Sequence, residues 1–150
     1  MRKAVIALLL AVLVLSGCSV NKTMQSELVS FSFVHTGSSA AEGWSYAVTH
    51  NAEGCVQLQV MRGSGAEYFT LPADEALLQS IKQLLVQHDV AAWRGFSLRR
   101  LFGVADKASF TLTADFADGS SLTVNGGAPA EGFGEFCAAM HALFAAYLPA

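Results

Sequence analysis

The stretch of this sequence best suited to chemistry is the 89–107 segment, which combines arginines with large aromatic residues. The candidate contact residues in it are Trp93, Arg94, Phe96, Arg99 and Arg100. Aromatic rings bury a large contact area, and a guanidinium group can hold a carboxylate or phosphate through paired hydrogen bonds. The segment therefore predicts a binding surface. The alternative is that its aromatic residues fold onto the core while the arginines are merely solvated.

No other part of the sequence has a catalytic or metal-binding pattern. It contains no Gly-x-Ser-x-Gly motif, no phosphate-binding loop and no His-Glu-x-x-His motif. The four histidines, His35, His50, His88 and His141, are far apart, and none has a partner at metal-ligand spacing. His88 and His141 fall at the margins of apolar helix faces, where a hydrogen-bonded histidine at the rim of the core is the simpler interpretation. The sequence thus predicts no catalytic residues, no metal site and no cofactor.

The first residues have the order of an export signal. Arg2 and Lys3 precede an unbroken apolar run over 4–15, and small residues then lead to Cys18. A run of this length is too short to span a bilayer comfortably. A positive start, an apolar run and small residues, in that order, indicate a segment that is removed after export.

The sequence Leu15-Ser16-Gly17-Cys18 resembles the lipobox of bacterial lipoproteins. The resemblance implies that residues 1–17 are a signal peptide that is removed, and that the Cys18 thiol is diacylated. Residues 18–27 would be the lipidated N-terminus and a tether, and residues 28–150 a single domain. The alternative is a cleaved soluble signal with an incidental cysteine. Two or more acyl chains make a stable membrane anchor, which a single chain does not.

The predicted mature chain is acidic. Seven Lys and Arg remain after residue 17 against twelve Asp and Glu, a net charge of −5. Nucleic-acid binding requires a surplus of basic residues, so this charge argues against a nucleic-acid partner. It also argues against direct adsorption to anionic lipid, and attachment to the membrane then depends on the acyl chains.

The two remaining cysteines, Cys55 and Cys137, could form a disulfide in an oxidising compartment. Their positions leave the matter open. Cys137 lies on the apolar stripe of its helix, whereas Cys55 is out of phase with the apolar residues of its strand, so the two thiols could point to different sides of the sheet. A bend after Gly54 would permit the bridge, and the alternative is two separate thiols.

Alternation of apolar and polar residues predicts six strands. The first four are separated by short turns, and Asp118-Gly119 supplies a tight turn between the last two. The residues expected to point inward are Val29, Phe31, Phe33; Trp44, Tyr46, Val48; Val56, Leu58, Val60; Phe110, Leu112, Ala114, Phe116; Leu122 and Val124. Tyr68 and Phe69 are the large side chains of the short fourth strand. Short turns between consecutive strands favour an antiparallel meander.

Two segments have the three-and-four spacing of amphipathic helices. One begins within 71–75, where Pro72 suits the first helical position, and runs to about His88. The other follows Pro129 and carries Phe133, Phe136 and Phe144. The predicted fold is therefore α+β, with an antiparallel sheet of about six strands in the order ββββ-α-ββ-α and two helices packed on one face.

The succession of motifs is similar to that of a group of small uncharacterised bacterial domains often carried on lipoproteins. The motifs are the meander, Trp93-x-Gly95-Phe96, Asp106 before Ser109-x-Thr111-Leu112, Asp118-Gly119, and Gly126 through Pro129. This resemblance implies a fold and a cell-envelope setting but no activity.

We therefore expect a lipid-anchored, non-catalytic module of the bacterial envelope that binds an envelope protein or glycan. Ser19 stands where an aspartate would resemble an inner-membrane retention signal, so the expected place is the outer membrane, facing the periplasm. The alternatives are an inhibitor of a lysozyme-like or proteolytic enzyme, and an enzyme whose site is assembled from scattered residues.

Overall fold

The computed structural model describes residues 24–36, 43–63, 67–95, 109–126 and 131–148. The predicted order ββββ-α-ββ-α and the α+β class are confirmed. The elements are β1 (Leu28–Thr36), β2 (Trp44–His50), β3 (Val56–Arg62), β4 (Glu67–Pro72), α1 (Glu75–Gln87), a 3-10 helix (Val90–Gly95), β5 (Ser109–Phe116), β6 (Ser121–Gly126) and α2 (Phe133–Ala145).

The six strands form one antiparallel sheet in the order β4-β3-β2-β1-β5-β6. The strand that follows the N-terminal segment, β1, is thus central and pairs on both sides. Leu28, His50 and Val56 lie at one end of the sheet, which we call the tether end. Thr36, Trp44 and Arg62 lie at the other, which we call the distal end.

The core lies on the face of the sheet that the alternation predicts, with one change of phase. Phe31 and Phe33 are buried as expected, but at the start of β1 it is Leu28 that is buried, and Val29 is only partly covered. The pairing with β5 shifts between Leu28 and Ser30. A bulge inserts one extra residue and so reverses the side on which the neighbouring side chain lies, which explains why Val29 does not point inward.

Both helices cover this same face. Asp74 caps α1, its carboxylate accepting a hydrogen bond from the Leu77 backbone N–H at 3.1 Å, which satisfies one of the free donors of the first turn. Each helix buries an apolar stripe. The buried residues are Leu77, Leu78, Ile81 and Leu85 of α1, and Phe136, Met140 and Phe144 of α2. In the part of the chain that the structure describes, no helix has the length and apolar character needed to cross a bilayer.

The ordered contacts of the domain begin before the predicted boundary at Leu28. Met24 is buried in the core. Lys82 of α1 donates a hydrogen bond from Nζ to the Gln25 carbonyl at 3.3 Å, and the Asp118 backbone N–H donates to Ser26 Oγ at 3.1 Å. The last four residues of the predicted tether therefore pack against the tether end of the domain.

The 89–107 segment begins with the 3-10 helix, which the sequence analysis did not predict. Val90 and Trp93 are buried. The Trp93 ring lies edge-on to Phe136 and Phe110, with centroid separations of 5.4 and 6.3 Å, and is tilted against Phe133 at 5.9 Å. Such edge-to-face arrangements are favoured between aromatic rings. The 3-10 helix therefore closes the core beside β5 and α2.

Candidate functional site

The structure separates the residues predicted as a binding surface. Trp93 is a core residue, only 6% exposed, so its assignment to an exposed contact surface is wrong and the alternative interpretation holds for it. The arginine spacing could not reveal this, because the burial of Trp93 depends on the distant residues Phe133 and Phe136. The side chain of Arg94 and all of Phe96, Arg99 and Arg100 lie outside the described residues.

The two cysteines of the domain are separate free thiols. Cys55 is exposed at the turn after Gly54, whose φ of +80° favours glycine. Cys137 is half-buried on α2, and burial raises the pKa of its thiol to about 12. In this structure no bond joins the two thiols. Cys18, the predicted lipidation site, lies outside the described residues.

A groove of about 440 Å³ opens at the distal end of the sheet, between β2, β3 and α2. The lining residues are Gly43, Trp44, Tyr46, Arg62, Gly63, His141 and Ala145. Two glycines and an alanine leave room there, while the aromatic side chains, the guanidinium and the imidazole supply the contacts. We call this feature the distal groove.

The strand register brings the groove residues together. Trp44 lies between His35 of β1 and Arg62 of β3, and Tyr46 lies between Phe33 and Val60. Since these residues are paired across the ladder, their side chains lie on the same face of the sheet. Arg62 continues the inward phase of β3 and becomes exposed only because the strand ends there. An arginine in phase with three apolar residues was the available sequence signal for this site.

Aromatic stacking holds the walls of the distal groove. The His35 ring stacks on the half-buried Trp44 with an interplanar angle of 18° and a centroid separation of 5.2 Å. Tyr46 stacks on Phe144 at 4.1 Å, and His141 meets Trp44 nearly edge-on at 4.5 Å. These contacts fix the ring planes from both the sheet and α2, so the groove is held by packed side chains on regular elements.

A hydrogen bond of 2.7 Å joins the Tyr46 hydroxyl to His141 Nδ1. Burial raises the pKa of Tyr46, and the charge of Arg62 and its hydrogen bond to the Tyr46 hydroxyl offset part of that increase. Burial lowers the pKa of His141, and the positive charge of Arg62 and the neighbouring His35 lower it further. Tyr46 therefore keeps its proton and His141 is neutral near pH 7. The prediction of a hydrogen-bonded rim histidine is confirmed for His141.

A second groove, of about 430 Å³, lies at the tether end between the start of β1 and α1. Three side chains of its lining, His50, Glu75 and Lys82, already have partners within the fold. His50 Nε2 lies 2.8 Å from Glu75 Oε1, and Lys82 is hydrogen-bonded to the Gln25 carbonyl. Glu75 is 65% exposed, so this ion pair contributes at most about 1 kcal/mol. These contacts fasten the N-terminal segment to α1.

The distal groove offers groups that can bind a ligand. Its described lining combines an exposed guanidinium with a neutral imidazole and an aromatic wall, and includes no serine, cysteine or carboxylate. Within the described ranges, no three His, Cys, Asp or Glu side chains come together as a metal site. Comparison of the chain with protein families, with curated proteins and with solved structures finds no match.

Proposed function

We propose that this chain is a lipid-anchored, non-catalytic binding module of the bacterial envelope, and that its ligand binds in the distal groove. The anchor is the one implied by the lipobox resemblance at Cys18. The partner is an envelope protein or glycan, and the expected place is the outer membrane, facing the periplasm.

The observation that carries the proposal is the placement of the groove relative to the N-terminal segment. Gln25 and Ser26 are hydrogen-bonded at the tether end, whereas Trp44 and Arg62 lie at the opposite end of the sheet. A lipid attached at Cys18 would therefore leave the distal groove directed away from the membrane. The 89–107 segment, with the proposed contact residues Arg99 and Arg100, rejoins the sheet at Ser109, also at the distal end.

The binding proposal is tested by photo-cross-linking in the intact envelope. A photoreactive amino acid replaces Ala145, which is exposed at the groove, and in a matched control it replaces Gln79, which is exposed on α1 at the tether end. We expect one dominant adduct from position 145, lost when Arg62→Gln is added, and a different pattern from position 79. Identical adducts from both positions, or no adduct at position 145, would refute the distal groove as the binding site.

The anchoring proposal is tested separately by Cys18→Ser in the full chain. We expect this variant to remain unprocessed by the lipoprotein pathway and to lose its incorporated fatty acid. If Cys18→Ser is still cleaved and retained in the membrane fraction like the parent protein, the lipobox interpretation is wrong.

A further inference from the structure

The ligand chemistry of the distal groove follows from the direction of the hydrogen bonds around Tyr46. Arg62 and Tyr46 line the same groove, and arginine has only donors, so its guanidinium can offer the phenolic oxygen an N–H but cannot accept the phenolic proton. Tyr46 is 2% exposed, and its own hydrogen must therefore find an acceptor inside the protein. The acceptor in contact with it is His141 Nδ1, at 2.7 Å.

This direction fixes the tautomer of His141. A neutral imidazole carries one hydrogen, and if Nδ1 accepts the Tyr46 proton, that hydrogen lies on Nε2. The neutral state agrees with the lowered pKa of His141. His141 therefore offers Nε2–H as the ring atom left for a ligand in the groove that it lines.

Among the described lining residues, the side chains of Arg62 and His141 are thus hydrogen-bond donors. Arg62 contributes a charged planar fork, and His141 contributes one neutral N–H. The described part of the lining includes no Asp or Glu, although the predicted mature chain has a net charge of −5. Donors with one positive charge are complementary to an acceptor with one negative charge.

We propose that the distal groove binds a carboxylate carried on an apolar or aromatic group, with Arg62 and His141 Nε2–H as donors and Trp44 as the apolar wall. This inference rests on the proposed binding function and specifies its ligand class. A carboxylate has one charge and two coplanar acceptors, which matches one guanidinium. A phosphate dianion would bring a second charge, for which the described lining residues supply no second cation.

The test is a titration of the full chain, purified in detergent, followed by NMR of the histidine rings and the tryptophan indoles. The probes are benzoate, its neutral counterpart benzamide, and phenyl phosphate. We expect benzoate to shift the His141 and Trp44 signals saturably. Benzamide lacks the charge-assisted hydrogen bonds, so its affinity should be lower by a factor of about ten or more. Equal binding of benzamide, or tighter binding of phenyl phosphate, would overturn the carboxylate assignment.

Two variants distinguish a loss of contacts with benzoate from a loss of folding. Arg62→Gln should weaken benzoate binding about tenfold or more while the ring signals of the core remain unchanged. Lys82→Gln is the control, because it removes a positive charge at the tether end instead of the distal groove. We expect Lys82→Gln to leave benzoate binding unchanged, and a loss of binding in this variant would contradict the proposal.

The nitrogen chemical shifts of His141 provide a readout that needs no ligand. We expect a neutral ring with the proton on Nε2, and a proton on Nδ1 would remove the donor that the proposal requires. The two proposals fail in different ways. Cross-linking at position 145 without benzoate binding would retain the binding module and reject its ligand class, whereas benzoate binding without a cross-linked partner would do the reverse.

Discussion

Replacing Gly126 by alanine should destabilise the domain through a single clash. Gly126 lies opposite Phe110 in the β5–β6 ladder, and a Cβ built there would lie 2.5 Å from Phe110 Cε1 and 2.9 Å from Cζ. Carbon atoms in contact are about 3.5–4.0 Å apart, so the ring would have to move by about 1 Å. The strand glycine is thus covered by the aromatic ring of its cross-strand partner, a pairing known to stabilise glycine in sheets.

The ring of Phe110 has little room to move. It is 6% exposed and lies 4.6 Å from the Phe133 ring by centroids, with Phe33 and Trp93 also against it. Overpacking of a filled core costs about 1–3 kcal/mol. Alanine also lowers the conformational entropy of the unfolded chain relative to glycine, which offsets about 0.5–1 kcal/mol of this cost. We therefore expect Gly126→Ala to lower the free energy of unfolding by about 1–2 kcal/mol.

The assay is urea unfolding followed by tryptophan fluorescence, with Gly134→Ala as the control. Gly134 lies in the first turn of α2, and a Cβ there meets nothing within 4 Å, so this change should be neutral or stabilising by about 0.5 kcal/mol. Phe110→Leu in the Gly126→Ala background should relieve the clash, so the double variant should be more stable than the sum of the single effects by about 1 kcal/mol. Additive effects, or a Gly126→Ala protein as stable as its parent, would refute the clash.

Further predictions concern the thiols and the Tyr46–His141 pair. Cys55 should react with an alkylating reagent in the native protein and Cys137 only after unfolding, because the exposed thiol is accessible and the half-buried one has its pKa raised to about 12. If Cys18 is lipidated as proposed, mass spectrometry of the unfolded protein should then count two modified thiols; a third would show that Cys18 carries no lipid. Tyr46→Phe should cost about 1 kcal/mol of unfolding free energy, the net value of one hydrogen bond, and an unchanged urea midpoint would contradict the bond to His141. Because the folded pKa of His141 lies below its ordinary value of 6.5, the unfolded chain binds the proton first, so stability should fall as the pH drops below about 6.5. The urea midpoint measured between pH 7.5 and 5.5 checks this, and a slope no shallower in His141→Gln than in the parent would contradict it.

The sheet and its two helices could be predicted because their signals are local. Alternation in β2, β3, β5 and β6 and the stripe of α1 depend on residues close in sequence. The bulge beside Val29 could not be predicted, since a register shift is a property of the pair of strands rather than of β1 alone. Met24 and the 3-10 helix were missed for a similar reason. Both are held by core contacts with distant residues, and neither has a periodic pattern of its own.

The candidate site was harder to predict than the fold. Tyr46 and His141 are 95 residues apart, and their hydrogen bond exists only because α2 packs across β2. Alternation correctly indicated that Tyr46 points inward, and the margin of the α2 stripe correctly indicated a rim position for His141. What alternation cannot give is the termination of β3 at Arg62, which turns an inward-facing position into the edge of a groove. The clustering of arginines in the 89–107 segment drew attention instead to side chains that lie outside the described residues.

The central position of β1 determines how the domain would bear a pulling force. A force applied between the N-terminal segment and a ligand in the distal groove runs along the strands, because the two lie at opposite ends of the sheet. The ladders of β1 with β2 and with β5 would then be loaded in shear, with many backbone hydrogen bonds sharing the force, instead of being peeled apart one at a time. Resistance to such unfolding is set by the unfolding rate rather than by equilibrium stability. Mechanical strength along this direction is therefore a consequence of placing the first strand in the middle of the sheet.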